Sequence, residues 1–423
     1  MTIKESPENF DFNKKPLFNY VSTFSFPRLA GTEGEKKAVD LTIKTFKEKG
    51  FKNSQIHSQN FEFSTFYSKA MIKIIILINL IFVSIILLIK NLYPFLTFIS
   101  ISILLLIFLS MVKALKYPEL KGFWEKYFGK FLKATNVFVE IPAINVSTQK
   151  IGDIIVSAHL DSKSQSFKTL WRVVLIRIWL YSEIFLFLFY TFFLIDYHFI
   201  YENYQILIIL WEISIMIGTI LTISSNFFLL FLKIGNESQG ALDNASGMAV
   251  VFELSSFFKC NPLHNFRLWF CQFSAEEIGT MGSRKFLDTY DKVFTKEFTY
   301  QINFDMLSAA NNKKNRIEYI ESYGIIPRKK ISPILSEYFN KSAEIENINY
   351  HGFHVSLGAH TDSIPFHLRK FNSIDITTKA AARYTHSIED TLDKVDPQIL
   401  VDVCRVIRLL ILSLDKDFKE LLK

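Results

Sequence analysis

The sequence predicts an α/β fold, with a mostly parallel central sheet flanked by helices, interrupted by two hairpins of transmembrane helices. Two observations predict it. Strand-like and helix-like segments alternate through three separate stretches of the chain, a pattern typical of a parallel sheet covered by helices. Four long apolar segments lie between these stretches, in two adjacent pairs. Because a bilayer core needs about 20 apolar residues in helical form, each pair fits two spans joined by a turn.

The chain of 423 residues divides on this basis into five consecutive parts. The α/β domain takes its first part from residues 1–66, its second from 134–165 and its third from 236–423. The first hairpin, with an interfacial amphipathic helix, occupies residues 67–133, and the second hairpin occupies residues 166–235. Each insertion contains an even number of spans, so we expect all three parts of the α/β domain on one side of the membrane.

The predicted spans are residues 74–89 and 92–112 in the first hairpin, and residues 178–195 and 206–232 in the second. The second hairpin carries two carboxylates, at Glu183 and Glu212. Carboxylates are costly inside a bilayer and are functional candidates by default. Both lie early in antiparallel spans, however, so we expect them near opposite faces, and the interpretation that each reaches an interface is favoured.

The basic residues near the spans predict the orientation. The predicted domain side carries thirteen Lys or Arg residues and the far-side turns carry one, Lys90. The thirteen are Lys69, Lys73, Lys113, Lys116, Lys121, Lys126, Lys130, Lys133, Lys163, Lys168, Arg172, Arg177 and Lys233. Cytoplasmic loops are enriched in Lys and Arg, so this asymmetry predicts cytoplasmic termini and a cytoplasmic α/β domain.

Composition and charge agree with membrane association. The chain is 49% hydrophobic, contains 43 Phe and has a net charge of +7. That charge suits nucleic acid or an anionic membrane surface, and its location beside the spans favours the membrane, with no nucleic-acid partner. The three Cys show no CxxC spacing, which argues against a disulfide framework or a cysteine zinc site.

The segment YPELKGFWEKYFGKFLK, residues 117–133, has a pattern of its own. Five aromatic side chains fall on one helical face, with lysines around it. This pattern predicts an amphipathic helix in the membrane interface, and the alternative is an ordinary helix packed on the domain. The aromatic residues are Phe123, Trp124, Tyr127, Phe128 and Phe131.

Polar side chains follow three strand-like segments of the α/β domain. DIIVSA runs into His159 and Asp161, LWFCQFSA into Glu276 and Glu277, and QINF into Asp305. Ligands of open α/β sheets bind beyond the carboxyl ends of the strands, so we expect these groups at one edge of the sheet. Each piece alone is weak, because such residues are more often solvated turns or helix caps. Their combination indicates a metal site.

Several motifs, in this order, give the chain a family resemblance. SAHLDS, GALDNASG, SAEEIGTMGS, NFDML and YTHSIEDTLDKVD resemble the di-zinc exopeptidases related to aminopeptidase Y and aminopeptidase S, metallopeptidase family 28. PRLAGTEGEKKAVDLTIKTFKEKGF, ATNVFVEIPA and LGAHTDSIPF resemble further parts of the same domain. The resemblance covers nearly all of the predicted α/β domain and none of the hairpins, and it implies the zinc-exopeptidase version of the fold.

The resemblance also implies ligands for two zinc ions per chain. His159 and Asp305 would bind one zinc, Glu277 and His386 the other, and Asp243 would bridge both. Three carboxylates, with a hydroxide between the metals, would balance the four positive charges. Imidazole and carboxylate ligands suit zinc, with cobalt or manganese as substitutes.

Two further residues would act beside the metals. The resemblance assigns Glu276 as the general base, which takes a proton from the shared water and passes it to the leaving amine. Asp161 would hydrogen-bond the free ring nitrogen of His159, fixing its tautomer and raising its basicity.

The implied function is a membrane-bound zinc-dependent hydrolase, an aminopeptidase that removes N-terminal residues from peptides. Between His159 and Asp243 lie 83 residues, and the second hairpin fills most of them. This placement suggests a hydrophobic or membrane-associated peptide substrate, with simple anchoring in the lipid bilayer equally open. The alternatives are a glutaminyl-cyclase-like acyltransferase with one zinc, a non-catalytic receptor or scaffold, and an amidase acting on a non-peptide acyl group.

Overall fold

A computed structural model describes residues 10–66, 70–89, 92–116, 129–145, 151–199, 205–310, 316–324, 328–356 and 361–421. The chain forms two compact units. The α/β unit comprises Met1–Phe63, Phe131–Lys168 and Gly235–Lys423, and the helical unit comprises Ser64–Lys130 and Thr169–Ile234. These limits lie within three residues of the divisions predicted from the sequence.

The strands among the described residues range from two to eleven residues in length. They are β1 (Ile56–Ser64), β2 (Phe131–Ile141), β3 (Gly152–His159), β4 (Ser164–Gln165), β5 (Ile234–Gly235), β6 (Phe266–Phe273), β7 (Thr299–Phe304), β8 (Ile317–Tyr323), β9 (Lys329–Lys330), β10 (Tyr350–Val355) and β11 (Asn372–Ile376). The three strand-like segments that the sequence predicted correspond to β3, β6 and β7.

The described helices are distributed over both units. They are α1 (Lys14–Phe24), α2 (Glu33–Glu48), α3 (Met71–Ile89), α4 (Pro94–Lys116), α5 (Thr169–Phe199), α6 (Gln205–Leu230), α7 (Ser246–Cys260), α8 (Met281–Tyr290), α9 (Pro333–Ile345), α10 (Ser363–Leu368), α11 (Pro397–Lys416) and α12 (Phe418–Leu421). Short 3₁₀ turns occur at Asn53–Gln55, Lys296–Phe298, Lys379–Arg383 and Leu392–Lys394.

The central sheet has the strand order β1-β2-β6-β3-β7-β11-β8-β10, with β9 paired to β8. The pairs β3–β6, β3–β7, β7–β11 and β8–β10 are parallel, and the pairs β2–β6, β8–β11 and β8–β9 are antiparallel. The prediction of a mostly parallel sheet is therefore confirmed. The strands β6, β3 and β7 are neighbours, so the residues that follow them share one edge.

Both faces of the sheet are covered, as the alternation of side chains in β3 shows. Ile154 and Val156 join one apolar cluster, which includes residues from α1, α2, α7 and α11. Ile155, between them, joins a second cluster on the opposite face, with Phe286 of α8 among its members. Because successive strand residues point to opposite faces, a strand covered on both sides is expected to be mainly apolar, as the central run 154–156 of β3 is.

Two helices of the α/β unit have clear terminal signals. Helix α2 begins with Glu33 and Glu35 in its first turn, where acidic groups favour the helix dipole, and Gly50 beyond its end has a positive φ of 81°. In α11, Pro397 occupies the first turn and the Asp396 side chain accepts a hydrogen bond from the Gln398 amide.

The helical unit contains four helices, α3 to α6, that are each long and apolar enough to cross a membrane. Their shared core includes Val83, Ile101, Leu186 and Ile215, one from each helix. Many large apolar side chains outside this core are exposed, and Leu88 reaches 78%. The four predicted spans are thus four helices, although the second begins at Pro94, two residues after its predicted start.

The structure changes one expectation for the membrane segments, and another lies mostly outside the described residues. Glu183 does not extend to an interface: it is buried, and its carboxylate accepts hydrogen bonds from Asn79 and from Trp179 Nε1, the latter at 2.6 Å. Glu212 is exposed. The predicted amphipathic helix of residues 117–133 falls mostly outside the described residues, and its last three residues belong to β2, which lies between β1 and β6 in the sheet.

Candidate metal centre

Three neighbouring strands deliver four of the predicted site residues to one edge of the sheet. His159 is the last residue of β3, Asp305 follows β7 directly, and Glu276 and Glu277 lie shortly after the end of β6. Two of the turns involved place a residue without glycine's freedom at positive φ, namely Ala275 at 59° and Met306 at 55°. Such backbone conformations cost energy and cluster at functional sites.

The remaining two ligand candidates come from loops. Asp243 lies in the irregular turn Ala241–Ala245 that leads into α7, with a non-helical φ of −116°. Its position is fixed by Asp390, whose carboxylate accepts hydrogen bonds from the amides of Leu242 at 2.7 Å and Asp243 at 3.1 Å. His386 has a positive φ of 60° in the loop that precedes Asp390.

These side chains form two buried groups that share Asp243. One group is His159, Asp243 and Asp305, and the other is Asp243, Glu277 and His386, each with ligand atoms within 4.8 Å of one another. His159 Nε2 lies 3.0 Å from Asp243 Oδ1, while His386 Nε2 lies 3.0 Å from Asp243 Oδ2. The two oxygens of one carboxylate therefore face two different imidazoles.

The outer contacts of each group complete the arrangement. His159 Nε2 is 3.5 Å from Asp305 Oδ1, and His386 Nε2 is 3.1 Å from Glu277 Oε2. Glu276 is buried beside these groups but belongs to neither of them, as expected for a residue that does not bind metal.

Asp161 supports the site through different atoms from those predicted. The Nδ1 atom of His159 lies 3.0 Å from the main-chain carbonyl of Asp161, and the Asp161 carboxylate is farther away at 3.7 Å. That carboxylate instead accepts hydrogen bonds from the amides of Glu276 at 3.1 Å and Glu277 at 3.3 Å. Asp161 thus orients the imidazole through its backbone carbonyl. Its side chain orients the turn that carries Glu276 and Glu277, which we call the glutamate turn.

Two residues of the segment after β3 contact the second group. Lys163 Nζ is 2.5 Å from Glu277 Oε2 and donates a hydrogen bond to the Glu277 carbonyl at 3.2 Å. Gln165 Nε2 lies 3.1 Å from His386 Nδ1. Because this nitrogen is turned away from Asp243, the contact orients the ring with Nε2 facing the carboxylates.

Arg28 joins the chain segments that carry the ligands. It is fully buried and donates to five main-chain carbonyls. Its Nε bonds Leu160 O at 2.7 Å, next to His159, and its Nη2 bonds Gly240 O at 2.9 Å, next to the Asp243 turn. The other acceptors are Phe24, Phe26 and Gln239. Burial lowers the pKa of Arg28 to about 10, so it is charged at neutral pH.

The side chains of the site have strongly shifted pKa values. Burial opposes the charged form of His159, but the surrounding carboxylates outweigh it and raise its pKa well above the usual value. Burial likewise opposes ionisation of Asp243, yet its two histidine neighbours hold its pKa well below the usual range. For Glu277 the charges of His386 and Lys163 overcome burial and bring the pKa to about 2.

Glu276 differs from Glu277 although the two are adjacent. Burial raises the pKa of Glu276 well above its usual value, and the negative charges of Asp305 and Glu277 add to this effect while His159 opposes it. Two adjacent carboxyl groups with opposite shifts are typical of a site that separates a charged ligand from a proton carrier. A divalent cation beside Glu276 would lower its pKa and let it accept a proton near neutral pH.

The donor set fits divalent cations. Within the part of the chain that the structure describes, Glu277 Oε1 is buried without a hydrogen bond, and His159 Nε2 lies 3.0 Å from Asp243 Oδ1 but without hydrogen-bond geometry. Buried polar atoms in folded proteins are nearly always satisfied, so these two atoms indicate a partner outside the protein chain. Two imidazoles and three carboxylates are ligands that zinc accepts.

The sequence did not identify four residues that shape the site: Arg28, Lys163, Gln165 and Asp390. Arg28 and Asp390 fall within the motifs PRLAGTEG and YTHSIEDTLDKVD, which the resemblance marked without assigning them a role. The motif LGAHTDSIPF also resembles the family, and its residues 357–360 lie outside the described ranges. In the described part of this motif, burial raises the pKa of Asp362 to about 7.

The site consists of carboxylate and imidazole groups beyond the ends of parallel strands in an α/β sheet. This arrangement is typical of metal-dependent hydrolases. Comparison with known proteins supports the resemblance drawn from the motifs. Residues 226–411 match the description of peptidase family M28. The curated aminopeptidase YwaD of Bacillus subtilis is 25% identical over 170 residues, which are 38% of this chain and 35% of that protein. The match thus spans about a third of this relative's length.

Solved structures confirm the fold. A zinc aminopeptidase from Bacillus subtilis, BSAP, aligns with a TM-score of 0.53 and 13% identity, over 95% of this chain and 95% of that one. A glutaminyl cyclase from an Acidobacteriales bacterium aligns with a TM-score of 0.54 and 15% identity, over 98% of each chain. At these identities the similarity shows the fold, and both kinds of enzyme share it.

Proposed function

We propose that this protein is a zinc-dependent metallopeptidase of the aminopeptidase type, which hydrolyses N-terminal peptide bonds. The observation that carries the proposal is the pair of buried ligand groups that share Asp243. A single metal would need only one such group. The M28 match and the aminopeptidase relatives support the same reaction class.

Two zinc ions would be held by residues already in place. His159 and Asp305 would bind one, Glu277 and His386 the other, and Asp243 would contribute one oxygen to each. Zinc held by these residues would supply Lewis-acid chemistry, which lowers the pKa of water and polarises a carbonyl.

Glu276 would carry the proton. Its carboxylate is buried beside these groups and belongs to neither of them, so it would be available to take a proton from the attacking water and deliver it to the leaving amine. Asp161 holds the amides of Glu276 and Glu277 in a fixed turn, which keeps the proton carrier and the metal ligand at constant positions relative to each other.

Metal content and turnover of a Glu276→Gln variant test this assignment. We expect two zinc ions per chain in both proteins, and a loss of turnover on aminoacyl amides of about 10²–10⁴-fold in the variant. Glu297→Gln is the matched control, because Glu297 is exposed and lies outside the site. Undiminished turnover in Glu276→Gln would refute its role as the base.

The same experiment separates the alternative functions. One zinc per chain, with cyclisation of N-terminal glutamine, would favour the glutaminyl-cyclase-like alternative, whose fold this chain shares. Zinc binding without turnover on any aminoacyl or acyl amide would favour a receptor or scaffold. Cleavage confined to non-peptide acyl amides would indicate an amidase.

We further propose that α3 to α6 embed the protein in a lipid bilayer, with the α/β unit and both termini in the cytoplasm. The length and apolarity of the four helices support a membrane location. The exposed apolar side chains of the helical unit, among them Leu88, Leu92 and Phe95, need an apolar solvent. The asymmetry of Lys and Arg in the sequence supports the cytoplasmic orientation.

The native cysteines offer a direct test of orientation. Cys260 in the α/β unit is exposed, whereas Cys271 and Cys404 are buried. A membrane-impermeant maleimide should therefore label the chain only after cells are permeabilised, and Cys260→Ser should remove the labelling. Labelling of intact cells would place the α/β unit on the outer side. Release of the chain by alkaline carbonate washing would contradict the membrane proposal itself.

A membrane location makes a hydrophobic or membrane-associated peptide the expected substrate. A lipid-anchored peptide and its soluble form, with the same N-terminal residues, can be compared with the enzyme in vesicles. We expect faster cleavage of the anchored peptide when it shares a vesicle with the enzyme. We expect no advantage over the soluble peptide when the anchored peptide and the enzyme occupy separate vesicles. Equal rates in both arrangements would indicate that the helices only anchor the enzyme.

A further inference from the structure

Lys163 places a fixed positive charge against one of the two ligand groups. It follows Ser162 in the short segment between β3 and β4, and its side chain is only 9% exposed. The ammonium lies 2.5 Å from Glu277 Oε2 and donates to the Glu277 carbonyl at 3.2 Å. Two contacts to the same residue indicate a built position for this cation.

The contacted oxygen is one that the second ligand group needs. Glu277 Oε2 is also 3.1 Å from His386 Nε2, whereas Glu277 Oε1 is buried without a hydrogen bond to the described residues. In the first group, the Asp305 carboxylate has an ion-pair contact with His159 and, within the described part of the chain, with no lysine or arginine. The positive charge of Lys163 therefore acts on one group far more than on the other.

We infer that Lys163 makes the two metal positions unequal. The His159–Asp305 position binds a divalent cation tightly, and the Glu277–His386 position binds one weakly and exchanges it. This inference rests on the proposed two-metal function and deepens it. A unit charge a few ångströms from a divalent cation repels it strongly in a buried site, so we expect affinities that differ by about tenfold or more.

The consequence is regulation by metal supply. The tight position stays filled while the weak position fills only as free zinc rises. Turnover that needs both metals would then follow the concentration of free zinc over the range in which the Glu277–His386 position is titrated. Lys163 would be a positioning residue that sets this range, since it contacts a ligand rather than the reacting atoms.

Zinc titration of the purified full-length chain in detergent, against competing chelators of graded affinity, tests the inference without using activity. We expect two separate binding steps. Lys163→Met should tighten the weak step by about tenfold or more and leave the tight step unchanged. Lys168→Met is the matched control, because Lys168 pairs with Glu389 at 2.7 Å at the surface, and both steps should stay as they were.

Two further variants assign the steps and separate charge from packing. His386→Ala should remove the weak step and Asp305→Asn the tight one. Lys163→Arg keeps the positive charge and should keep the two steps apart. Equal behaviour of the Met and Arg variants, or an unchanged weak step in Lys163→Met, would overturn the inference. Should Lys163→Met fail to fold, which would also abolish the tight step, Lys163→Gln provides the neutral test.

The inference and the proposed function can fail separately. Two zinc ions bound with equal affinity would overturn the unequal positions and leave the two-metal function intact. A chain that binds no zinc would overturn both.

Discussion

Replacing the buried Arg28 should lower the free energy of unfolding, and its contacts give the size of the effect. Five hydrogen bonds from its guanidinium reach main-chain carbonyls in three segments: the end of α1, the loop after β3 and the turn before Asp243. A lysine at this position keeps the charge but offers three donors in place of five. Arg28→Lys therefore removes at least two of the five hydrogen bonds.

The expected magnitude follows from that count. Hydrogen bonds to charged groups contribute about 1.5–3 kcal/mol each, so losing two should lower the free energy of unfolding of the α/β unit by about 3–6 kcal/mol. Arg28→Met should cost more, because it also leaves the Asp390 carboxylate without its compensating charge. Both variants should weaken zinc binding, since the His159 and Asp243 segments lose their common partner.

Pulse proteolysis in urea on the purified chain measures the free energy of unfolding. Arg369→Lys is the matched control: Arg369 pairs with Asp288 at 2.5 Å at the surface, and its replacement should cost less than about 1 kcal/mol. A cost below about 1 kcal/mol for Arg28→Lys, equal to that of the control, would refute the view that this guanidinium holds the three segments together.

Three further predictions concern pH, metal and the glutamate turn. Burial raises the pKa of Glu35 from 4.5 to about 7, so between these pH values the folded chain retains a proton that the unfolded chain releases. The contribution of Glu35 to the free energy of unfolding should therefore fall by about 3 kcal/mol as the pH rises from 4.5 to 7. Urea titrations at several pH values measure this slope, and Glu35→Gln should flatten it. Removal of zinc by a chelator should lower the thermal midpoint, because clustered carboxylates then repel one another, and added zinc should restore it; an unchanged midpoint would count against a metal centre. Asn136 accepts a hydrogen bond from the Ser274 amide at 2.9 Å and donates to Gly282 O at 2.8 Å, so Asn136→Ala should cost about 2–4 kcal/mol by pulse proteolysis, whereas the exposed Asn60→Ala should cost little.

The strand ends were predictable because they depend on local patterns. A short apolar run predicts a buried parallel strand, and ligands bind beyond the carboxyl ends of such strands. These two rules were enough to predict that the polar residues after β3, β6 and β7 lie at one edge of the sheet. The roles of His159, Asp305 and Glu277 came from the family resemblance, since residue type and spacing by themselves left solvated turns as the more common interpretation. The structure brings all of these residues together.

Other features depend on contacts that no local pattern encodes. Asp161 was predicted to contact His159 through its carboxylate, but the backbone carbonyl takes that place and the carboxylate holds the glutamate turn. Glu183 was expected at an interface, yet Asn79 of another helix provides a buried partner. In both cases the outcome was decided by a donor far away in the sequence or by main-chain geometry.

The sequence by itself determined the class of fold, the four apolar helices and the set of chemical groups available to bind metal, because hydrophobic periodicity and residue type are local properties. Only the tertiary structure decided that Asp243 faces both imidazoles and that Lys163 lies against Glu277. It also joined Arg28 to three segments of the chain. These contacts link residues separated by up to about two hundred positions, and their distances are fixed only when the sheet and its loops pack together.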